Sequence, residues 1–190
     1  IYDACHFVSG DAGILNSRPQ ALLRECVAVT DTAGLHLDAH FSGARLNASS
    51  HRSTAFLRCR FRRTSLFDAQ LVGCKLTGSV FEGPCTLRPL RVDGGDWSYV
   101  SLRGQDLAGL DLTGVRLQEA DLSQADLRKT VLLGADLGHA RFDEAKTAGA
   151  DLREAILTAV DLRSWDLTGV RLDLALAVQL AESYGAVVDP

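Results

Sequence analysis

The decisive stretch of the sequence is residues 120–142, which read ADLSQADLRKTVLLGADLGHARF. It repeats a five-residue unit in which a small residue and a polar residue precede leucine or phenylalanine, as in Ala125-Asp126-Leu127. A period of five fits neither the 3.6-residue period of an amphipathic helix nor the alternation of a half-exposed strand. The repeat therefore predicts a solenoid whose units stack on one another around a shared core.

The period continues far outside this stretch. A large residue recurs at every fifth position from Leu87 to Leu172, with Thr147 as an exception. The series slips by one residue across Glu82–Thr86 and then resumes upstream as far as His36. We interpret the slip as a one-residue bulge or a bend, because the proline in this segment removes an N–H from the backbone ladder.

These features predict an all-β solenoid for residues 1–172. Each pentad would form one side of a square coil, with the large central residue and the small residue two positions earlier pointing into a narrow tube. Seven coils stacked at about 4.8 Å would give a rod about 34 Å long. Residues 8–35 hold the register poorly, and we interpret them as degenerate coils with a loop in preference to a short helix.

The last segment, residues 173–190, changes to a helical pattern. Asp173 is a candidate N-cap, a helix would run from Leu174 to Tyr184, and Gly185 would end it. Apolar residues cover more than one face, so one stripe would cap the open end of the solenoid. The others would form a two-fold homodimer interface, unless one coil end absorbs the whole helix. The predicted dimer interface is Leu176, Leu180, Tyr184, Val187 and Val188.

Charge is distributed unevenly along the chain. Residues 1–91 carry a formal net charge of +4 and residues 92–190 a net charge of −8. Outward aspartates at spacings that are multiples of 20 would share a side of the solenoid, and they fall into three sets: Asp106, Asp126 and Asp166; Asp111 and Asp151; Asp121 and Asp161. One interpretation treats aspartate as the default polar residue of the repeat; the other treats these seven residues as an anionic surface that binds a partner.

No residue pattern indicates catalysis, a cofactor or a metal. Cys5, Cys59, Cys74 and Cys85 occupy the small inward position, so we expect them to replace alanine in the core, and an odd count of five fits a reducing cytoplasm. His36 and His51 fall at central positions and are expected to fill the core. Nucleotide-binding, zinc-protease and nucleophile motifs are missing, and no apolar run is long enough to span a membrane.

The basic run RCRFRR, residues 58–63, has three interpretations. It would be a solvated face, a contact with nucleic acid or a contact with an acidic patch on a partner. We favour the solvated face and expect no direct binding of nucleic acid.

The sequence resembles the pentapeptide-repeat family over about residues 36–185. Within it, the resemblance is to the mycobacterial fluoroquinolone-resistance branch, and the segments that carry it are HFSGARL, HRSTAFLRCRF, CKLTGSVF, LRPL, GQDLAGLDLTGVRL and LDLALAVQLAESYG. The resemblance implies a right-handed quadrilateral β-helix that dimerises through its C-terminus, is shaped and charged like duplex DNA, and acts on DNA gyrase. A dimeric rod would span about 70 Å, or about 20 base pairs at 3.4 Å each.

The expected function is therefore that of a cytoplasmic, non-enzymatic DNA mimic. It would bind DNA gyrase, a type II topoisomerase, and compete with DNA. It would inhibit gyrase, or protect it against fluoroquinolones or a natural gyrase poison by lowering the number of drug-stabilised cleaved complexes, or do both. The alternative is a generic solenoid scaffold for an unrelated protein partner.

Overall fold

Two of the four sides of the solenoid carry short strands. The computed structural model describes residues 40–163 and 165–188. Within these ranges the strands are β1 (His40–Ser42), β2 (Ser50–Arg52), β3 (Arg60–Arg62), β4 (Ala69–Val72), β5 (Val80–Glu82) and β6 (Leu90–Asp93). They form two parallel three-stranded sheets, ordered β1-β3-β5 and β2-β4-β6.

The strand register matches a four-sided coil of five-residue sides. Phe41 pairs with Phe61, which lies 20 residues later in the chain. Downstream of the strands the same spacing continues as single bridges, for example between Asp106 and Asp126. The predicted winding in fives is therefore confirmed for the described part of the chain.

In the described coils, the corners depend on a left-handed residue two positions after the central residue, except after Leu87, where Pro89 occupies this position. In one corner the Gln105 N–H donates to the Leu102 carbonyl at 3.0 Å, which closes a turn. Gly104 lies inside that turn with φ of 67°. Glycine adopts this conformation without a steric cost, but Glu119 and His139 adopt it as well, with φ of 54° and 59°. The corner thus tolerates many residue types.

The register slip is a one-residue insertion, as predicted. Phe61 pairs with Phe81 at a spacing of 20, whereas Ser65 already pairs with Thr86 at a spacing of 21. The buried Gln105 side chain compensates for the interrupted ladder. Its amide oxygen accepts from the Cys85 N–H at 3.3 Å, and its amide nitrogen donates to the Gly83 carbonyl at 3.0 Å.

The central residues form stacked columns inside the tube. Phe61 stacks on Phe41 and on Phe81, with ring centroids 4.9 and 4.6 Å apart. At three small inward positions a hydroxyl donates to a carbonyl of the preceding coil: Thr64 to Phe41, Thr130 to Leu107, and Ser79 Oγ to the Phe56 oxygen at 2.6 Å. Small polar residues can therefore replace alanine without leaving an unpaired group in the core.

The cysteine and histidine predictions hold where the structure describes them. Cys59 and Cys74 are buried and Cys85 is half-buried, all at the small position. His51 is buried at a central position, with Nε2 2.7 Å from Ser49 Oγ, and burial lowers the pKa of its ring. Cys5, His36 and the irregular segment 8–35 lie outside the described residues.

The last element of the described chain is a helix, α1 (Leu174–Ser183), close to the predicted bounds. The Asp173 carboxylate accepts from the Leu176 N–H at 2.9 Å, which makes Asp173 the N-cap, and it also accepts from the Glu154 N–H of the coil below. Gly185, with φ of 85°, follows the helix end. Leu176 is buried among the core residues, so the helix covers the open end of the solenoid.

Candidate functional site

The backbone pairing places the predicted aspartates in columns along the outer sides of the solenoid. On one side, backbone bridges join Asp106 to Asp126 and Asp126 to Lys146. The backbone carbonyl of Asp166 accepts a hydrogen bond from the hydroxyl of Thr147, the residue next to Lys146. On the other two sides, Asp111 and Asp151 flank Val131, and Asp121 pairs with Arg141. The columns follow the arrangement inferred from the spacing of 20.

Each of the seven aspartates has a local structural role. Its carboxylate accepts a hydrogen bond from the backbone N–H two residues later, as Asp111 does from Thr113 at 3.0 Å. This side-chain turn fixes the corner of the coil and explains the preference for aspartate at this position. The other bonds of this kind run from Ala108 to Asp106, Ser123 to Asp121, Arg128 to Asp126, Arg153 to Asp151, Arg163 to Asp161 and Thr168 to Asp166.

Arginines neutralise several of these carboxylates. Arg163 makes two bonds to Asp161, both of 2.9 Å, and its hydrogen bonds lower the pKa of Asp161 to about 2. Arg128 and Arg153 pair with Asp126 and Asp151 in the same way. The signal for this pairing in the sequence is the repeated tripeptide Asp-Leu-Arg at 126–128, 151–153 and 161–163, which the spacing of the aspartates alone does not reveal.

Two further aspartates pair across neighbouring coils. Asp106 lies 3.3 Å from Arg88, and Asp121 lies 3.5 Å from Arg141. Five of the seven candidates therefore have an ion-pair partner. Exposed pairs contribute about 0–1 kcal/mol to stability, but each one cancels charge that a partner would otherwise meet.

Asp151 departs from the prediction of an outward, exposed carboxylate. It is only 7% exposed, because Arg153 and Arg171 cover it at 2.7 and 3.2 Å. Hydrogen bonds from Arg153 lower its pKa and keep it ionised. Asp151 is therefore part of a covered charge cluster and not of an exposed anionic surface.

The unpaired negative charge lies elsewhere on this half of the rod. Asp111 and Asp166 are exposed and have no ion-pair partner among the described residues, and hydrogen bonds from Thr168 lower the pKa of Asp166. The same holds for exposed carboxylates at the corners that are not among the predicted site residues, namely Asp93, Glu119, Asp143, Glu144 and Glu154. They lie one or two positions after a central residue, outside the aspartate columns that the spacing of 20 defines.

The predicted dimer residues fall into two groups that differ in their burial. Leu176 is buried against the solenoid and Leu180 is half-buried on the same core, so the assignment of Leu176 to an intermolecular surface is wrong. Tyr184, Val187 and Val188 are exposed, with Val187 at 87%. Leu174, missed from the sequence, is 81% exposed. We call Leu174, Tyr184, Val187 and Val188 the C-terminal apolar patch.

Within residues 40–163 and 165–188, no cluster of three or more histidine, cysteine or acidic side chains has the geometry to hold a metal ion. Among the same residues, no helix has the length and apolar character needed to cross a bilayer.

Comparison with known proteins agrees with this architecture. Residues 39–83, 98–134 and 135–173 match the model of the pentapeptide repeats family, in eight copies. The chain is 46% identical over 77 residues to the pentapeptide repeat protein MfpA of Mycobacterium tuberculosis. That alignment covers 40% of this chain and 42% of MfpA, so the chain spans less than half the length of this relative.

Two solved structures are also similar to the chain. A trypsin-treated variant of QnrB1, a plasmid-mediated fluoroquinolone resistance protein, gives a TM-score of 0.50 at 19% identity, over 81% of this chain and 100% of its own. HetL, a pentapeptide repeat protein involved in heterocyst differentiation regulation in the cyanobacterium Nostoc, gives 0.46 at 23% identity, over 72% and 83%. The right-handed quadrilateral β-helix is confirmed, and the chain belongs to the pentapeptide repeat family.

Proposed function

We propose that this protein is a dimeric, non-enzymatic DNA mimic that binds DNA gyrase in the cytoplasm and inhibits it or protects it from fluoroquinolones or a natural gyrase poison. The proposal draws on the similarity to MfpA and QnrB1. The observation that carries it is the position of the C-terminal apolar patch, at the end of the half that has a net charge of −8. A two-fold contact through this patch would join two acidic halves into one anionic rod.

A generic scaffold for an unrelated protein partner is the second candidate. Five of the seven aspartates pair with arginine, which favours this candidate. These aspartates stabilise the turns of the coil, and the paired arginines neutralise their charge. The unpaired carboxylates at Asp111 and Asp166 distinguish the two candidates, since only the DNA mimic needs them.

The first experiment adds the purified protein to gyrase and measures supercoiling and fluoroquinolone-induced DNA cleavage. At micromolar concentration we expect less supercoiling, less cleaved DNA, or both. If neither activity changes, the gyrase proposal is wrong and the scaffold remains.

The second experiment removes two unpaired charges with Asp111→Asn and Asp166→Asn. Asparagine keeps the oxygen that accepts the backbone N–H, so the turns and the fold are retained. We expect the concentration for half-inhibition to rise several-fold, because electrostatic complementarity contributes to docking. The matched control is the double variant Asp161→Asn, Arg163→Gln, which removes an ion pair without changing the net charge and should inhibit like the wild type. Equal inhibition by all three proteins would contradict mimicry at these positions.

The dimer is tested with Val187→Asp, measured by light scattering. Val187 is exposed in the single chain, so the substitution should leave the circular dichroism spectrum of the subunit unchanged while it converts dimer to monomer. Ile156→Asp is the control, because Ile156 is also an exposed apolar residue but lies on a side of the solenoid. A Val187→Asp protein that stays dimeric would place the interface elsewhere.

A further inference from the structure

The first described coils have a charge pattern opposite to that of the anionic half. Residues 40–67, which we call the basic segment, contain six arginines and no aspartate or glutamate. These arginines are all exposed: Arg45, Arg52, Arg58, Arg60, Arg62 and Arg63. The segment forms the end of the described solenoid opposite to α1.

Ion pairing separates these arginines from those of the other half. In residues 92–190, six of the seven arginines lie within 4.0 Å of an aspartate carboxylate. In the basic segment only Arg60 has such a partner among the described residues, Glu82 at 3.7 Å. Most arginines of the acidic half thus compensate charge within the fold, whereas five of the six arginines of the basic segment are exposed with no carboxylate within 4.0 Å among the described residues.

The geometry makes the basic segment a fixed array. Arg60 and Arg62 flank the inward Phe61 on β3 and lie about 6.6 Å apart along the strand. Arg58 and Arg63 occupy the corners on either side, both with left-handed backbone, φ of 52° and 51°. The backbone therefore fixes the positions of four arginine residues along one side of the coil.

The remaining exposed residues of the basic segment are mainly small and polar. Ser42, Asn47, Ser50 and Ser53 surround the arginines and can donate hydrogen bonds to phosphate oxygens. Protein interfaces usually contain a buried apolar or aromatic anchor, and the segment has one exposed large apolar residue, Phe67, at its last position. Backbone phosphates need no apolar anchor, because arginine and hydroxyl contacts carry that recognition.

From this pattern we propose that the basic segment binds duplex DNA through its phosphate backbone, without sequence preference. This reverses our expectation from the sequence, which treated residues 58–63 as a solvated face; the difference in ion pairing between the two halves is the reason. The proposal is independent of gyrase. It makes the rod bipolar, with one end that contacts DNA and one half that resembles it.

The test is fluorescence anisotropy with a labelled duplex of about 25 base pairs, at salt concentrations from about 50 to 200 mM, with gyrase absent. We expect the wild type to bind with a dissociation constant in the micromolar range at low salt. The triple variant Arg58→Gln, Arg62→Gln, Arg63→Gln should weaken binding about tenfold or more and reduce the salt slope by about 2 to 3.

The matched control is Arg128→Gln, Arg153→Gln, Arg163→Gln, which changes the net charge by the same amount in the ion-paired half. It should bind DNA within about twofold of the wild type. The proposal is overturned if the wild type does not bind at low salt, if both triple variants lose affinity equally, or if the protein binds polyglutamate as tightly as DNA. Equal melting temperatures by circular dichroism verify that the variants are folded.

Discussion

Replacing Phe61 with alanine is expected to lower the free energy of unfolding by about 3–5 kcal/mol. Phe61 is 1% exposed and lies in the middle of an aromatic column, stacked between Phe41 and Phe81 and edge-on to Phe56 with ring centroids 5.8 Å apart. Alanine would remove all three ring contacts and leave a cavity that flanking coils cannot close, because the backbone ladder fixes their separation.

The measurement is urea unfolding followed by circular dichroism. Phe67→Ala is the matched control, since Phe67 is 49% exposed and differs from Phe61 only in its position on the coil. We expect the control to change stability by less than about 0.5 kcal/mol. If the two variants were equally stable, the central position would not be the basis of the core.

The repeat made the solenoid predictable, because one large and one small inward residue in every five residues leave few other ways to bury a core. The register slip was also visible. The role of Gln105 was not, since a glutamine at a small inward position makes sense only when the bulge at Gly83–Cys85 lies one coil below it.

The candidate site was less predictable than the fold. The columns of aspartates followed from the spacing. How much of their negative charge stays uncompensated depends on which arginine side chains reach them, and the spacing does not determine the direction of those side chains. In α1, the pattern predicted two apolar faces without showing how the helix is rotated on the last coil. That rotation buries Leu176 and exposes Leu174, which sequence spacing alone does not determine.

Gly95→Ala is expected to be the most damaging of the glycine-to-alanine substitutions. Backbone strain and overpacking together should lower the free energy of unfolding by about 3–5 kcal/mol. Gly95 has φ of 122°, a conformation that residues with a Cβ rarely adopt. A Cβ there would lie 2.4 Å from the Cys74 carbonyl oxygen, which belongs to the backbone of the coil below and cannot rotate away. To relieve the clash, the two coils would have to move apart. The Asp96 N–H donates to the same Cys74 oxygen at 3.1 Å, so this movement would disrupt a hydrogen bond between the coils.

The adjacent glycine provides the control for this prediction. Gly94 also has a left-handed backbone, with φ of 57°, but a Cβ there would meet no atom within 4 Å. Gly94→Ala should therefore cost only about 1–2 kcal/mol, the strain of a left-handed non-glycine residue. Urea unfolding of both variants compares the two sites, because Gly94→Ala adds only left-handed strain, whereas Gly95→Ala adds the rarer backbone conformation and the clash. If both variants lost the same free energy of unfolding, the coils at Cys74 would be able to move apart to accommodate an added methyl group. The close packing inferred for the tube would then be wrong at this coil.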